Sequence, residues 1–65
     1  MKVTLQVLGG EVVVSETALT VGDAKDEMDV PGYTATVNGE PAEDDEELVE
    51  FDFVTLSPSV KGGTL

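Results

Sequence analysis

The sequence predicts an α+β fold, a mixed sheet of four to five strands with one short helix packed across it. Three observations lead there. Apolar residues recur with period 2 in several separate segments, a helical period occurs in only one, and eleven of the 26 hydrophobic residues are valine, a side chain that suits strands.

Residues 2–8 alternate, with Val3, Leu5 and Val7 on one face and Lys2, Thr4 and Gln6 on the other, as a half-buried strand requires. Gly9-Gly10 offers the positive-φ positions of a tight hairpin turn. Residues 11–15 then read as the returning strand, with Val12 and Val14 expected inward and Val13 outward.

Residues 20–29 form the helical candidate. Thr20 is the N-cap, Asp23 stands three positions on in a variant of the capping box, and Val21, Ala24 and Met28 recur on one face. Two to three turns are too few to be stable alone, so this helix must dock on the sheet. Pro31-Gly32 closes it, because proline disfavours helical geometry at the residue before it.

Residues 33–37 alternate again and Asn38-Gly39 is a turn signal. Residues 40–50 hold seven carboxylates and Pro41, and read as a solvated loop with a short segment at Leu48-Val49. Residues 51–56 are the last strand, with Val54 and Leu56 expected inward and Phe51 and Phe53 on the opposite side. Pro58, lacking an N–H, stops its ladder. One domain over residues 1–60 is expected, followed by a flexible tail over residues 61–65.

Composition removes several function classes. A chain of 65 residues supports one thin core and no large catalytic cleft. It has no His, Cys or Arg, so Ser-His and Cys-His nucleophilic pairs and thiolate or imidazole zinc sites are excluded. Fourteen Asp/Glu against three Lys give a formal charge of −11, which repels nucleic acid and anionic membranes. Glu43–Glu47 lacks the alternating spacing of a calcium loop and reads as a solvated face, so no metal site is expected. The N-terminus is too short and polar in its apolar part for a signal peptide, and a cytoplasmic location follows as the expectation. Charge self-repulsion on so small a body is relieved when molar salt shortens the Debye length to about 3 Å. The acid-rich, lysine-poor composition is similar to that of haloarchaeal proteins, and an unusually basic partner is the alternative reason for it.

Three local patterns carry a resemblance. Leu19-Thr20-Val21-Gly22-Asp23 is similar to the helix start of prokaryotic sulfur-carrier proteins. Thr36-Val37-Asn38-Gly39-Glu40 is similar to the turn after their third strand. The segment from Asp52 through Val54, Pro58 and Val60 to Gly62-Gly63 keeps the spacing of the C-terminus of the molybdopterin-synthase small subunit and its thiamine-pathway relatives. Together with the element order, these resemble the ubiquitin-like β-grasp family, including archaeal ubiquitin-like small modifier proteins. Phe51 departs from the pattern, since relatives usually carry glycine there.

The resemblance implies a non-enzymatic chain acted on by others. An E1-like enzyme, using ATP that this chain does not itself bind, adenylates the carboxylate of Gly63 beside Gly62. The product is a thiocarboxylate or an isopeptide, passed to a sulfur-accepting synthase or to target proteins. Thr64-Leu65 then reads as a propeptide removed by a JAMM-type protease. From Pro58 to Gly63 an extended chain would reach about 16–18 Å, enough to enter a partner's channel, and glycine lets backbone approach a nucleotide. Phe53, Val13 and Leu8 are expected to form a partner-binding patch, joined by Pro58 and Val60 of the tail. Lys61 is a candidate isopeptide acceptor. A monomer is expected, with no nucleic acid or membrane partner. Two other classes stay open: a β-grasp interaction module without carrier activity, and an acidic mimic of nucleic acid.

Overall fold

The computed structural model describes residues 1–58. Their order is β1 (Val3–Val7), β2 (Val12–Ser15), α1 (Val21–Met28), β3 (Thr34–Val37), β4 (Glu40–Ala42) and β5 (Phe53–Ser57). The strands form one mixed sheet in the order β2-β1-β5-β3-β4. β1 and β5 run parallel at its centre, and the other neighbouring pairs are antiparallel. α1 covers one face, and the other face is open.

Alternation divides the strands as the sequence predicts for β1 and β5. Val3, Leu5, Val54 and Leu56 are buried under α1, together with Val21, Ala24, Ala18, Ala35 and Leu48. Each fully buried valine or leucine removes enough apolar surface from water to contribute about 1.5–3 kcal/mol, and this small set is the core.

β2 departs from its expected facing. The hairpin closes through Val7 N–H donating to the Glu11 carbonyl at 2.9 Å and Gly10 N–H donating to the Val7 carbonyl at 2.8 Å. Its loop is therefore Leu8-Gly9-Gly10, and only Gly9 of the two glycines has a positive φ, 79°, the value a type II turn asks of its third residue. A two-residue loop would pair Val7 with Val12, whereas the three-residue loop pairs Gln6 with Val12 and Leu5 with Val13. That one-residue shift turns every β2 side chain over. Val13 and Ser15 share the helix face, and Val12 and Val14 lie on the open face.

At the helix start Thr20 Oγ1 accepts from Asp23 N–H at 3.2 Å, as a capping box requires. The reciprocal bond is displaced by one residue, with Leu19 N–H donating to Asp23 Oδ2 at 3.0 Å. The helix ends before Pro31 acts. Asp29 turns left-handed at φ 61°, its N–H donating to Asp26 and Lys25 carbonyls, and Val30 N–H donates to Lys25 at 2.9 Å, in the manner of a Schellman cap.

Residues 40–50 are more ordered than a solvated loop. Asn38 (φ 52°) and Gly39 (φ 90°) make a two-residue turn of the left-handed type that hairpins favour. β4 returns along β3 as an edge strand, a position that tolerates Pro41. The acidic segment beyond it is anchored by its main chain to the start of α1. Val21 N–H donates to the Glu46 carbonyl at 3.0 Å, Gly22 N–H to the Asp44 carbonyl at 2.8 Å, and Leu48 N–H to the Leu19 carbonyl at 2.9 Å. Lys25 Nζ pairs with Asp44 Oδ1 at 2.5 Å. The carboxylates remain in water while Leu48 enters the core.

Candidate functional site

The open face of the sheet is set by register. Thr4 stands opposite both Val14 of β2 and Phe53 of β5, so these three form one row across it. The next row runs Val12, Gln6, Thr55, Thr36 and Pro41. Val12 and Val14 are 59% and 58% exposed and Phe53 is 39% exposed, so the open face carries two apolar groups, on β2 and on β5, with Thr4 and Gln6 of β1 between them.

Phe53 takes the facing expected of it. Val13 is separated from it by the β2 register and lies on the helix side of the edge strand, 37% exposed. Leu8 is in the hairpin loop, its side chain exposed and its N–H donating to the Leu56 carbonyl at 2.8 Å. Phe51 is not part of β5. It precedes the strand in the left-handed region at φ 69°, is 77% exposed, and donates its N–H to the Lys2 carbonyl. Glycine is the residue suited to that backbone. A two-residue Gly9-Gly10 turn would put Val12 and Val14 inward; the three-residue loop puts them on the open face instead.

β5 ends at Ser57 and Pro58 is exposed. The candidate residues Val60, Lys61, Gly62, Gly63, Thr64 and Leu65 lie outside the described residues.

The short patterns near the helix and the turn acquire physical reasons. A Cβ on Gly22 would stand 3.2 Å from the Asp44 carbonyl oxygen, so the glycine allows the acidic segment to approach the helix start. Asn38 and Asp52 bond to each other. Asn38 Nδ2 donates to Asp52 Oδ1 at 3.0 Å, Asp52 Oδ2 accepts from Val49 N–H at 2.9 Å, and Asn38 Oδ1 accepts from Phe53 N–H at 3.0 Å. Asp52 is buried; the two Asn38 bonds tie the β3-β4 turn to the start of β5, and the Val49 bond ties in the end of the acidic segment. A second carboxylate ties β2 to the helix: Ser15 Oγ donates to Glu27 Oε1 at 2.6 Å and Thr17 Oγ1 to Glu27 Oε2 at 2.5 Å.

No family model matches the chain, and no curated protein matches it. Among solved structures it is similar to SAMP1 from Haloferax volcanii, a small archaeal ubiquitin-like modifier, with a TM-score of 0.73 over 97% of this chain and 100% of that one. The fold is the β-grasp. At 21% identity the likeness is one of architecture. No helix among the described residues is long and apolar enough to cross a membrane.

Proposed function

We propose that this β-grasp chain is a ubiquitin-like protein modifier or sulfur carrier, itself without catalytic activity, whose working group is the carboxylate of Gly63. Removal of Thr64-Leu65 by a JAMM-type protease exposes that carboxylate. It attacks the α-phosphorus of ATP held by an E1-like enzyme, pyrophosphate leaves, and the acyl-adenylate forms. A lysine amine then displaces AMP to give an isopeptide, or a sulfide donor displaces it to give a thiocarboxylate. The chain binds no cofactor of its own in this scheme.

The observation that carries the reading is a Gly62-Gly63 pattern following a β-grasp body whose central strand β5 ends at Ser57 with Pro58 exposed. Phe53, beside Thr4 on the open face, is the residue through which the E1-like partner would grip the body.

The test is incubation of the chain truncated after Gly63 with its cell's E1-like protein and ATP, followed by intact-mass measurement. An adenylate, or an acid converted to a species about 16 Da heavier as sulfur replaces oxygen, is the expected result. An unchanged mass, with the same partner active on another substrate, would refute the proposal.

A further inference from the structure

Asn38 is the chain's one asparagine, and a glycine follows it. That pair carries a reaction of its own. The Gly39 main-chain nitrogen can attack the Asn38 side-chain carbonyl carbon, forming a new N–C bond. The bond from that carbon to the amide nitrogen breaks, and ammonia leaves with the proton that Gly39 gave up. Water then opens the cyclic imide at either carbonyl, so that amide and water go in and a carboxylic acid and ammonia come out. Glycine leaves the attacking nitrogen unhindered, and even a Cβ on Gly39 would meet nothing within 4 Å. Both residues are exposed, so water reaches them.

Folding opposes that reaction. Asn38 Nδ2 donates to Asp52 Oδ1 and Asn38 Oδ1 accepts from Phe53 N–H, both at 3.0 Å, while the Asn38 N–H donates to the Phe53 carbonyl at 2.8 Å. The side-chain amide is thereby held toward the start of β5. Attack requires its carbon to turn toward Gly39 instead and to give up both side-chain bonds. The acceptor is itself fixed, because Asp52 is buried and its other oxygen takes the Val49 N–H at 2.9 Å.

The product cannot restore the arrangement. With oxygen where Nδ2 stood, two carboxylate oxygens would face each other at neutral pH with no proton between them, one belonging to a buried group, where water screens like charges least. The isoaspartyl form would also lengthen the main chain of a two-residue turn that sets Val37 against Glu40. We propose that Asn38 is a spontaneous modification site latched by Asp52: opening of the Asn38–Asp52 contact starts deamidation, and the carboxylate formed keeps that contact open. The change runs one way. A chain so modified has a loosened β3-β4 turn and a loosened end of the acidic segment, with the β1-β2 hairpin intact, which distinguishes old copies from new ones without any enzyme. Nothing in it depends on the Gly62-Gly63 tail.

The test is incubation of the full chain at mildly alkaline pH, with peptide mapping that separates asparagine, aspartate and isoaspartate at position 38. The chain in guanidinium gives the unlatched rate, and the folded parent should react about tenfold more slowly or less. Asp52→Ala should react about tenfold faster than the parent, the effect of one buried side-chain hydrogen bond. Val3→Ala separates this from general unfolding, because it weakens the core through β1, away from the turn. Where both variants stay folded, Val3→Ala should keep the parental rate. Equal acceleration by Val3→Ala, or a folded parent as fast as the denatured chain, would overturn the latch. Asn38→Asp stands for the product, and should speed hydrogen exchange at the Val49 and Phe53 amides about tenfold while the β1 and β2 amides keep their rates. Parental exchange at Val49 and Phe53 would mean that the product leaves the contact closed, and would overturn the one-way step.

Discussion

Asn38 and Asp52 hold each other side chain to side chain at 3.0 Å, although 14 positions apart. Their remaining polar atoms are bonded to main chain at Val49 and Phe53. The carboxylate fixes where the acidic segment ends and β5 begins. Asp52→Ala leaves the Val49 N–H and the Asn38 amide without this acceptor, and should cost about 1–3 kcal/mol. Denaturant titration checks this, with the midpoint falling at unchanged slope. A midpoint equal to that of the parent would mean the contact is not a clamp.

Phe51 should be improved by replacement. A bulky side chain in the left-handed region costs roughly 1–2 kcal/mol, partly offset by the unfolded-state freedom of glycine. Phe51→Gly should therefore raise stability by up to about 1 kcal/mol. Asp29→Gly, at φ 61°, should gain less, because Asp tolerates that conformation better. Thermal melting of both variants gives the order, and a loss of stability for Phe51→Gly would mean that its exposed ring packs more than its 77% exposure indicates.

At Gly22 two effects oppose each other. Alanine is the better helix former by about 1 kcal/mol, but its Cβ would press on the Asp44 carbonyl that accepts the Gly22 N–H. The expected outcome of Gly22→Ala is a net loss, with faster exchange at the amides of residues 21, 22 and 48. Stabilisation would mean that the acidic segment yields easily.

Phe53→Ser tests the open face. At 39% exposure Phe53 is partly packed, so the cost to folding should be about 1 kcal/mol and the fold should persist. Binding to an E1-like partner should weaken by more than that. Collapse of the fold would make Phe53 a core residue.

Salt should stabilise the chain. At charge −11, raising the salt from about 0.05 M to molar levels shortens the screening length severalfold, and the melting temperature should climb. Neutralising Glu43, Asp45, Glu46 and Glu47 to amides should flatten that dependence. Asp44 is left out because it pairs with Lys25. An unchanged slope would place the repulsion elsewhere.

Much of the fold was legible where periodicity and turn chemistry are local. Val3, Leu5, Val54 and Leu56 alternate cleanly, Thr20 caps α1, and Asn38-Gly39 makes its turn. What was missed depends on distant partners. The facing of Val12–Val14 turns on one extra loop residue, which three consecutive valines cannot report. β4 was hidden because Pro41 and its acidic neighbours read as loop, and an edge strand accepts them. The acidic segment is held through carbonyls, which leave no trace in residue type apart from Gly22. At the candidate site Phe53 was found from its alternation, whereas Val12 and Val14 needed the register.

The parallel pairing of β1 with β5 joins Leu5 to Val54 and Val7 to Leu56, the first strand to the last one described. Four of the nine core residues come from these two strands, and no hairpin brings them together. Contacts so far apart in sequence form late and slowly. A nascent chain holding only residues 1–50 has α1 and two hairpins without the central strand that joins them. Synthesis must pass Ser57 before the body can exist at all. Whatever follows Pro58 is thus made only after every element of the body has been synthesised, so a truncated product carries neither a complete sheet nor the segment beyond it.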